Sequence, residues 1–301
     1  MMRVAVLMGG ISSEREVSLN SGAQVSEALK KAGYEVTPII VTADLAALLA
    51  DLTPRPDAVF NALHSRFGED GTIQGVLDYI GLPYTHSGVR ASALAMDKAA
   101  AKALFISAGL PVAPHKIIDI AELVERDPLP RPYVVKPVNE GSSVGVSIVK
   151  EGDNHCAEIA DNWKFGLAMV EQYVPGRELT VGVLEDRALM VTEILAAEKF
   201  YDYHAKYAAG GSRHVLPAEI PDDIAKAARE IAVAAHKALG CRGASRADLR
   251  YDEDEGRLIL LEVNTQPGMT ATSLLPEQAA QEGMDFPALC AWMVEMAVCR
   301  V

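Results

Sequence analysis

The chain has 301 residues, of which 50% are hydrophobic and 6% aromatic, and its formal net charge is −13. This length allows two or three domains with substantial cores of Ala, Val, Leu and Ile, as in α/β proteins. The acidic charge and the lack of a Lys/Arg-rich block argue against a nucleic-acid partner. Without a signal peptide or an apolar run of about 18 residues, we expect a cytoplasmic protein with no membrane partner. The four cysteines lack metal-ligand spacing and are predicted to be reduced thiols.

The N-terminal part of the chain alternates strands with helices. Residues 3–8 are aliphatic and end in Gly9-Gly10, and a helix is predicted from about residue 16 to 31. Strands near 35–41 and 57–63 follow, with a second helix between them. This βαβαβ order predicts a parallel sheet. Both the Gly-x-Gly-x-x-Gly dinucleotide fingerprint and the P-loop are absent.

The central part is predicted to be α+β. A helix from about residue 91 to 108 carries Lys98, and a short strand at 133–137 carries Lys136. Further strands joined as antiparallel hairpins are predicted at 146–150, 167–174 and 178–184.

A polar glycine loop, Glu140 to Gly145, lies between two of these strands. Glycines let backbone N–H groups approach phosphate oxygens, and the hydroxyls of Ser142 and Ser143 add donors. Lys98 and Lys136 could neutralise the phosphates of a nucleotide. The alternative is an ordinary hairpin turn with solvated lysines, which the position of Lys136 between apolar residues makes less attractive.

The stretch Glu171-Gln172-Tyr173-Val174, followed by Glu178, could hold adenosine. The backbone would bind the adenine edge, and the Glu178 carboxylate would accept from the ribose hydroxyls. A strand and turn with exposed acids is the alternative, and without context it is the simpler one.

The C-terminal part begins with a predicted strand over residues 187–197. Residues 201–215 are polar and glycine-bearing, and we predict a long mobile loop there. The most regular helix is predicted over 221–239, with proline at its first turn and Gly240 as its stop.

Two strands near the C-terminal end carry the most informative pattern. Because side chains alternate along a strand, Glu262 and Asn264 share a face about 7 Å apart, and Arg246 and Asp248 share a face likewise. The turn at 252–256 joins the strands as a hairpin. Carboxylate and amide oxygens suit Mg²⁺ rather than zinc. If the strands pair in register, one surface carries three magnesium ligands and an arginine, which predicts phosphoryl transfer. Alternatively, Glu262 and Asn264 only mark where the strand leaves the core.

The ordered motifs of the chain resemble those of D-alanine–D-alanine ligases, a family of the ATP-grasp superfamily. The resemblance covers essentially the whole sequence. It rests on Gly9-Gly10-x-Ser12-x-Glu14-Arg15-Glu16-Val17-Ser18, Leu63-His64-x-x-x-Gly68-Glu69-Asp70-Gly71, Met96-Asp97-Lys98, Val135-Lys136-Pro137, Glu140-Gly141-Ser142-Ser143-Val144-Gly145, Tyr201-Asp202-Tyr203-x-Ala205-Lys206-Tyr207, Arg246-x-Asp248 and Leu261-Glu262-x-Asn264-Thr265-x-Pro267-Gly268-Met269-Thr270.

The resemblance implies an ATP-grasp fold in which two α+β domains sandwich ATP. The expected domains are 1–93 (α/β, substrate), 94–178 (central ATP-grasp subdomain) and 179–301 (catalytic, with the mobile loop 201–215). The implied reaction joins two D-alanines through an acyl phosphate, for peptidoglycan precursor synthesis. It uses ATP and two Mg²⁺ ions, with Mn²⁺ as a possible substitute. A homodimer is a family expectation.

For the nucleotide, the resemblance implies contacts from residues in three regions. Lys98, Lys136, Ser142 and Ser143 would hold the phosphates, Glu171, Gln172, Tyr173 and Val174 the adenine, and Glu178 the ribose. Asp248, Glu262 and Asn264 would ligate the two metal ions.

For the substrates, the resemblance assigns two subsites and a clamp. Glu14 and His64 would bind the first D-alanine, and Arg246 with the Gly268 N–H would face the oxyanion of the tetrahedral intermediate. Ser273, Leu274 and Lys206 would hold the carboxylate of the second D-alanine. Glu14, Ser142 and Tyr207 would form a hydrogen-bond chain that closes the loop over the site.

Two alternative functions stay open. A D-alanine–D-lactate or D-alanine–D-serine ligase would share the fold, although depsipeptide ligases tend to replace Tyr207. An inert nucleotide-binding regulator would be expected to lose Arg246 or a metal ligand, and all of these are present. His204 departs from the family, which often has Glu there, and this leaves the electrostatics of the loop open.

Overall fold

The structure is a computed structural model that describes residues 1–141, 144–196 and 212–299. These residues form three β-sheets, one parallel and two antiparallel, with helices packed on them. The predicted α/β fold with an antiparallel centre is therefore confirmed. No helix in these ranges combines the length and apolar character that crossing a bilayer requires.

The N-terminal sheet is parallel, as predicted, in the order β2-β1-β3. Its strand β1 is almost entirely buried, as expected for a parallel strand covered on both faces. Gly9 and Gly10, with φ of 86° and 80°, turn the chain from this strand toward the first helix. The elements are β1 (Arg3–Gly9), α1 (Arg15–Lys31), β2 (Glu35–Val41), α2 (Leu45–Asp51), β3 (Ala58–Asn61) and α3 (Thr72–Tyr79).

Two helices, α4 (Val89–Met96) and α5 (Lys98–Ser107), replace the single helix predicted over residues 91–108. Asp97 separates them in an extended conformation, and its carboxylate accepts from the amides of Ala99 and Ala100. The prediction was wrong because an aspartate cap can end one helix and begin the next without a glycine or proline. The break places Lys98 in the first turn of α5.

The central sheet is antiparallel in the order β4-β7-β5-β6. Its apolar face packs against two short helices around Tyr133 and Leu123. Its elements are β4 (His115–Ile118), α6 (Glu122–Glu125), β5 (Tyr133–Pro137), β6 (Ser147–Val149), α7 (Cys156–Asp161) and β7 (Ala168–Gln172).

The C-terminal sheet is antiparallel in the order β10-β9-β8-β11-β12. The long amphipathic helix α8 covers one face of it, with Ala228, Ala232 and Ala235 fully buried. The elements are β8 (Arg177–Leu184), β9 (Arg187–Ala196), β10 (Ser212–Val215), α8 (Asp222–Leu239), β11 (Ala244–Asp252), β12 (Arg257–Asn264), α9 (Leu274–Gln281) and α10 (Phe286–Glu295).

The predicted mobile loop over 201–215 ends too late. Residues 212–215 form strand β10, which pairs with β9 from Ser212 opposite Ala196 to Val215 opposite Glu193. The local sequence is polar, but pairing with an existing strand satisfies its backbone groups, and this outweighs a weak strand propensity. Residues 201–211 lie outside the described residues.

The N-terminal sheet shares its core with the end of the chain. Val4 and Phe60 belong to the same buried cluster as Leu275 from α9 and Met293 from α10. This packing brings the loop after β12 against the loop after β3, where the candidate site lies. The division at 93/94 and 178/179 stays a prediction.

Candidate active site

The hairpin β11–β12 presents four polar side chains on one face. Its register sets Arg246 opposite Asn264 and Asp248 opposite Glu262. The residues between them, such as Ala247 and Val263, belong to the buried core behind the sheet. We call Arg246, Asp248, Glu262 and Asn264 the ligand face.

Asp248 is the centre of the ligand face. Arg246 donates to its carboxylate through Nε (2.9 Å to Oδ1) and Nη2 (2.8 Å to Oδ2). Asn264 Nδ2 donates to Oδ2 at 2.9 Å, and Thr180 Oγ1, from the neighbouring strand β8, donates to Oδ1 at 2.6 Å. The carboxylate is therefore held in one orientation by donors from three strands.

The chemistry of the ligand face fits magnesium better than a transition metal. Asp248, Glu262 and Asn264 offer hard oxygen ligands, whereas the described residues contain no group of three or more His, Cys, Asp or Glu side chains placed to hold a metal ion. Magnesium keeps several waters and substrate phosphate oxygens in its shell, so one or two carboxylates suffice.

Lys98 lies beside the ligand face. Its Nζ is 3.6 Å from Glu262 Oε2 and donates to the Glu140 carbonyl at 2.5 Å. The contact joins α5 to the start of the glycine loop. A cleft with about 380 Å³ of empty volume opens here, and it is lined by Glu69, Ala95, Met96, Lys98, Glu140, Gly141, Glu262, Val263, Asn264 and Thr265.

Lys136 takes part in a buried ionic group that we call the lysine cluster: Lys102, Lys136 and Glu171. Lys136 Nζ donates to Glu171 Oε2 at 2.6 Å, and Lys102 Nζ contacts Glu171 Oε1. Exposure of the three residues is only 1%, 8% and 3%, respectively. The alternative reading of Glu171 as an exposed acid is therefore wrong.

The pKa values in the lysine cluster follow burial and charge. Burial opposes the charge on Lys136, but the carboxylates of Glu171 and Glu262 outweigh it and raise its pKa. Burial would raise the pKa of Glu171, yet Lys136 and Lys102 lower it. Burial lowers the pKa of Lys102, which lies deeper and is also repelled by Lys136. Glu171 therefore keeps its charge through two cations.

The predicted adenosine segment lies where β7 ends and β8 begins. Arg250 ties this corner together by donating to the Val174 carbonyl (3.2 Å), the Gly176 carbonyl (2.7 Å) and Glu178 Oε2 (3.4 Å). The Gln172 and Tyr173 amides donate to the Pro114 and Pro132 carbonyls. The Glu171 side chain contacts Lys136 and Lys102 in the lysine cluster.

Glu14 and His64 converge from the loops after β1 and β3. Glu14 precedes α1 and is 5% exposed, and Ser12 Oγ accepts from its amide and donates to the His64 carbonyl. His64 Nε2 lies 3.3 Å from Ser21 Oγ. Burial lowers the pKa of His64 against the opposing effect of Glu14, so its imidazole is neutral at neutral pH.

Glu69 lines the cleft, although the sequence analysis did not place it in the site. It belongs to the motif over residues 63–71 that supports the family resemblance. Its Oε1 accepts from the Ser65 amide at 2.5 Å. Burial, and then the charge of Glu14, raise its pKa to about 8. Ser65 and Phe67, with φ of 60° and 66°, hold this loop in left-handed conformations that are costly for such residues.

Gly268 and Ser273 meet in the turn between β12 and α9. A side chain at Gly268 would come within 3.1 Å of Ser273 Oγ, so the approach is close. Ser273 Oγ contacts Thr270 N at 3.1 Å and Thr270 Oγ1 at 2.8 Å. Leu274 is the first residue of α9, where backbone N–H groups favour an anion.

Several predicted site residues lie outside the described residues. They are Ser142 and Ser143 of the glycine loop, and Lys206, Tyr207 and His204 of the 201–215 segment. Their roles stay predictions.

Two family models match the chain. The model described as D-ala D-ala ligase C-terminus matches residues 104–295, and that described as D-ala D-ala ligase N-terminus matches residues 3–51. The chain belongs to the D-alanine–D-alanine ligase family. Curated D-alanine–D-alanine ligases of Acidiphilium cryptum and Granulibacter bethesdensis are 72% and 66% identical to it, covering 100% and 99% of this chain and 100% and 98% of theirs.

Solved structures of the family confirm the ATP-grasp fold. A D-alanine–D-alanine ligase from Bacillus anthracis superposes with a TM-score of 0.85 at 32% identity, covering 98% of this chain and 97% of the other. The same enzyme complexed with ATP superposes with a TM-score of 0.83 at 29% identity and the same coverage.

Three residues that contact or border the candidate site were not predicted from the sequence: Lys102, Glu69 and Thr180. Lys102 follows Lys98 by one helical turn, and this i,i+4 spacing was a usable signal. Glu69 belongs to the motif over residues 63–71, and that motif was a usable signal. Thr180 carried no signal of its own, because only the β8–β11 register brings it to Asp248.

Proposed function

We propose that this chain joins two molecules of D-alanine with ATP, forming D-alanyl-D-alanine, ADP and phosphate. The observation that carries the proposal is the ligand face: Asp248, held by Arg246, stands opposite Glu262, which lines an open cleft together with Lys98. Family membership and the 72% identity to a D-alanine–D-alanine ligase of Acidiphilium cryptum support the same substrate. An inert regulator would not need to keep a complete ligand face.

A carboxylate does not react with an amine at neutral pH until it is activated. In the proposed reaction, an oxygen of the first D-alanine carboxylate attacks the γ-phosphorus of ATP, and the bond to ADP breaks. The amine of the second D-alanine then attacks the carbonyl carbon, and phosphate leaves with the former carboxylate oxygen. Positioning and electrostatic stabilisation supply most of the rate in such transfers.

Charge on the phosphates would be offset from two sides. We assign Lys98 and Lys136 to the phosphates, and Asp248, Glu262 and Asn264 to two Mg²⁺ ions, for which Mn²⁺ would substitute. When bound, magnesium neutralises phosphoryl oxygens and orients them for transfer. Lys136 would have to exchange its contact with Glu171 for a phosphate, and Lys102 would keep Glu171 paired while it does so.

We propose two amino-acid subsites. We assign the ammonium of the first D-alanine to Glu14 and its carboxylate to the neighbourhood of His64. The oxyanion would face the Arg246 guanidinium and the Gly268 N–H. The carboxylate of the second D-alanine would bind at the start of α9, through Ser273 and the Leu274 amide, with Lys206 completing the subsite.

Water must be kept from the acyl phosphate, which hydrolyses readily. We retain the predicted chain from Glu14 through Ser142 to Tyr207 as the closing contact. We also propose a cytoplasmic homodimer supplying peptidoglycan precursors, which rests on the family alone. Sedimentation analysis across a range of protein concentrations would test the dimer, and a monomer throughout would refute it.

The deciding experiment measures phosphate release and product mass with D-alanine, L-alanine, D-lactate and D-serine, alone and in pairs. We expect magnesium-dependent phosphate release with D-alanine alone, and D-alanyl-D-alanine as the product. A larger yield of D-alanyl-D-lactate or D-alanyl-D-serine would identify the alternative ligases. ATP binding without phosphate release in any mixture would identify a regulator.

A further inference from the structure

Three buried amide side chains, Asn61, Gln74 and Gln266, form a hydrogen-bond network where the loop after β12 packs against the loop after β3. Asn61 and Gln74 each donate to the Gly68 carbonyl at 2.9 Å. Gln266 Oε1 accepts from Asn61 Nδ2 at 2.9 Å, and Gln266 Nε2 donates to the Leu63 carbonyl. Exposure of Asn61, Gln74 and Gln266 is 0%, 1% and 4%.

Gln266 is the residue that joins the loop after β12 to the end of β3 and the loop that follows it. Asn61, at the end of β3, precedes it by 205 residues, yet the two side chains meet directly. Gln266 lies in the turn between Asn264 of the ligand face and Gly268. Its two bonds therefore fix that turn against the turn that carries His64.

Both ends of the Gln266 amide have partners, and this determines its position closely. A buried amide that loses either partner leaves a polar group unsatisfied, so the turn cannot shift without cost. An apolar residue of similar volume would fill the space, but without hydrogen bonds it would let the turn after β12 shift relative to the turn that carries His64. Left-handed Ser65 and Phe67 in the partner loop show that this loop, too, is held against its local preference.

We propose that Gln266 is a positioning residue that aligns the Gly268 oxyanion donor with the first D-alanine subsite. The inference rests on the proposed function. Its consequence is chemical: the carbonyl of the acyl phosphate must meet Gly268 N–H while Glu14 and His64 hold the same molecule. Misplacement by about 1 Å can cost roughly 100-fold in rate.

Poor alignment would slow the attack of the second amine and leave the acyl phosphate to water. A water oxygen would then bond to the carbonyl carbon while the bond to phosphate breaks, regenerating D-alanine. Phosphate would be released without dipeptide. The ratio of phosphate to dipeptide therefore reports the alignment. A loss of stability alone would lower both products together and would leave this ratio unchanged.

The test compares Gln266→Met with Gln74→Met in the full chain. Gln74 is a matched control because it is similarly buried and donates to the Gly68 carbonyl, which also accepts from Asn61, whereas the network gives it no hydrogen bond to Gln266. For Gln266→Met we expect kcat to fall about 10- to 100-fold, the KM for ATP to stay within about 2-fold, and the phosphate-to-dipeptide ratio to exceed one. Gln74→Met should keep a ratio near one.

A second variant, Gln266→Asn, retracts the amide but keeps a polar side chain, so it serves if Gln266→Met does not fold. Wild-type coupling in a folded Gln266 variant would overturn the inference, as would equal uncoupling in Gln74→Met. Failure of the wild-type protein to form any dipeptide would instead refute the proposed function.

Discussion

The ligand face and the lysine cluster each surround a carboxylate with charged or polar partners, but they differ in depth and in the type of partner. Glu262 and Asn264 of the ligand face line an open cleft, and the side chain of Glu262 is 33% exposed. Glu171 has a side chain only 4% exposed, and its two partners are lysines from α5 and β5. The first group can exchange its contacts with a ligand. In the second, Lys102 and Glu171 pair with each other inside the protein, and only Lys136 is proposed to exchange a contact for a phosphate.

This difference separates activity from stability. A charge that faces a cleft can be removed with little effect on folding, because water replaces its partners. Removing one member of a buried ionic group leaves the others unpaired at a high cost in free energy. We therefore expect substitutions on the ligand face to lower turnover and substitutions in the lysine cluster to lower stability.

The largest expected effect is that of Glu262→Gln on turnover. Losing one strong electrostatic stabiliser costs about 10²–10³ in rate, and the loss of a proposed Mg²⁺ ligand should cost at least as much. Steady-state dipeptide formation measures the loss, and the thermal midpoint should stay near that of the wild type. Turnover above about a tenth of the wild-type value would remove Glu262 from the site.

Glu171→Gln tests the other side of the comparison. Removing this carboxylate leaves Lys102 and Lys136 buried together, which should lower the free energy of unfolding by about 3–5 kcal/mol. Urea denaturation measures it. Adding Lys102→Met to Glu171→Gln should recover part of the loss, because it removes one unpaired cation. If Glu171→Gln unfolds like the wild type, the cluster does not stabilise the fold.

Arg246→Ala would sharpen the distinction within the ligand face. Its guanidinium would face an oxyanion that forms only after activation, so kcat should fall about 10²–10³-fold with little change in ATP affinity. Arg246→Lys keeps the charge but loses the two-pronged contact to Asp248, and it should recover only part of the rate. A collapse of ATP affinity with preserved turnover would move Arg246 to the phosphate site.

The smallest effect concerns Glu69, a half-buried carboxylate that lines the cleft. Its folded pKa is raised from 4.5 to about 8 by burial and by Glu14. Between these pH values the folded state binds more protons than the unfolded state, so stability contributed by protonated Glu69 is lost as pH rises toward 8. Denaturation series over this range should show a flatter slope for Glu69→Gln than for the wild type.

Asp70→Asn should also flatten the slope, but less than Glu69→Gln, because the charge of Asp70 is a smaller cause of the raised pKa of Glu69 than burial and Glu14. An identical slope in Glu69→Gln and the wild type would show that Glu69 does not carry the proton.

Much of the site followed from short-range patterns. The alternation of Glu262 with Asn264 and of Arg246 with Asp248 fixes their shared faces, since side chains along a strand point to opposite sides in turn. The same reasoning located the parallel N-terminal sheet and the strand that carries Lys136. Asp97, by contrast, was a local capping signal that the helix prediction overlooked.

Only the tertiary structure decided how these local pieces meet. The register of β11 against β8 and β12 brings Thr180 and Glu262 to Asp248. The packing of the loop after β12 against the N-terminal sheet brings Gln266 to Asn61. Strand β10 exists because β9 offers it a partner. The sequence by itself determined which residue types stand on each face, because propensity and alternation act within a few residues. Contacts between distant segments depend on the packing of the whole core, so no local pattern contains them.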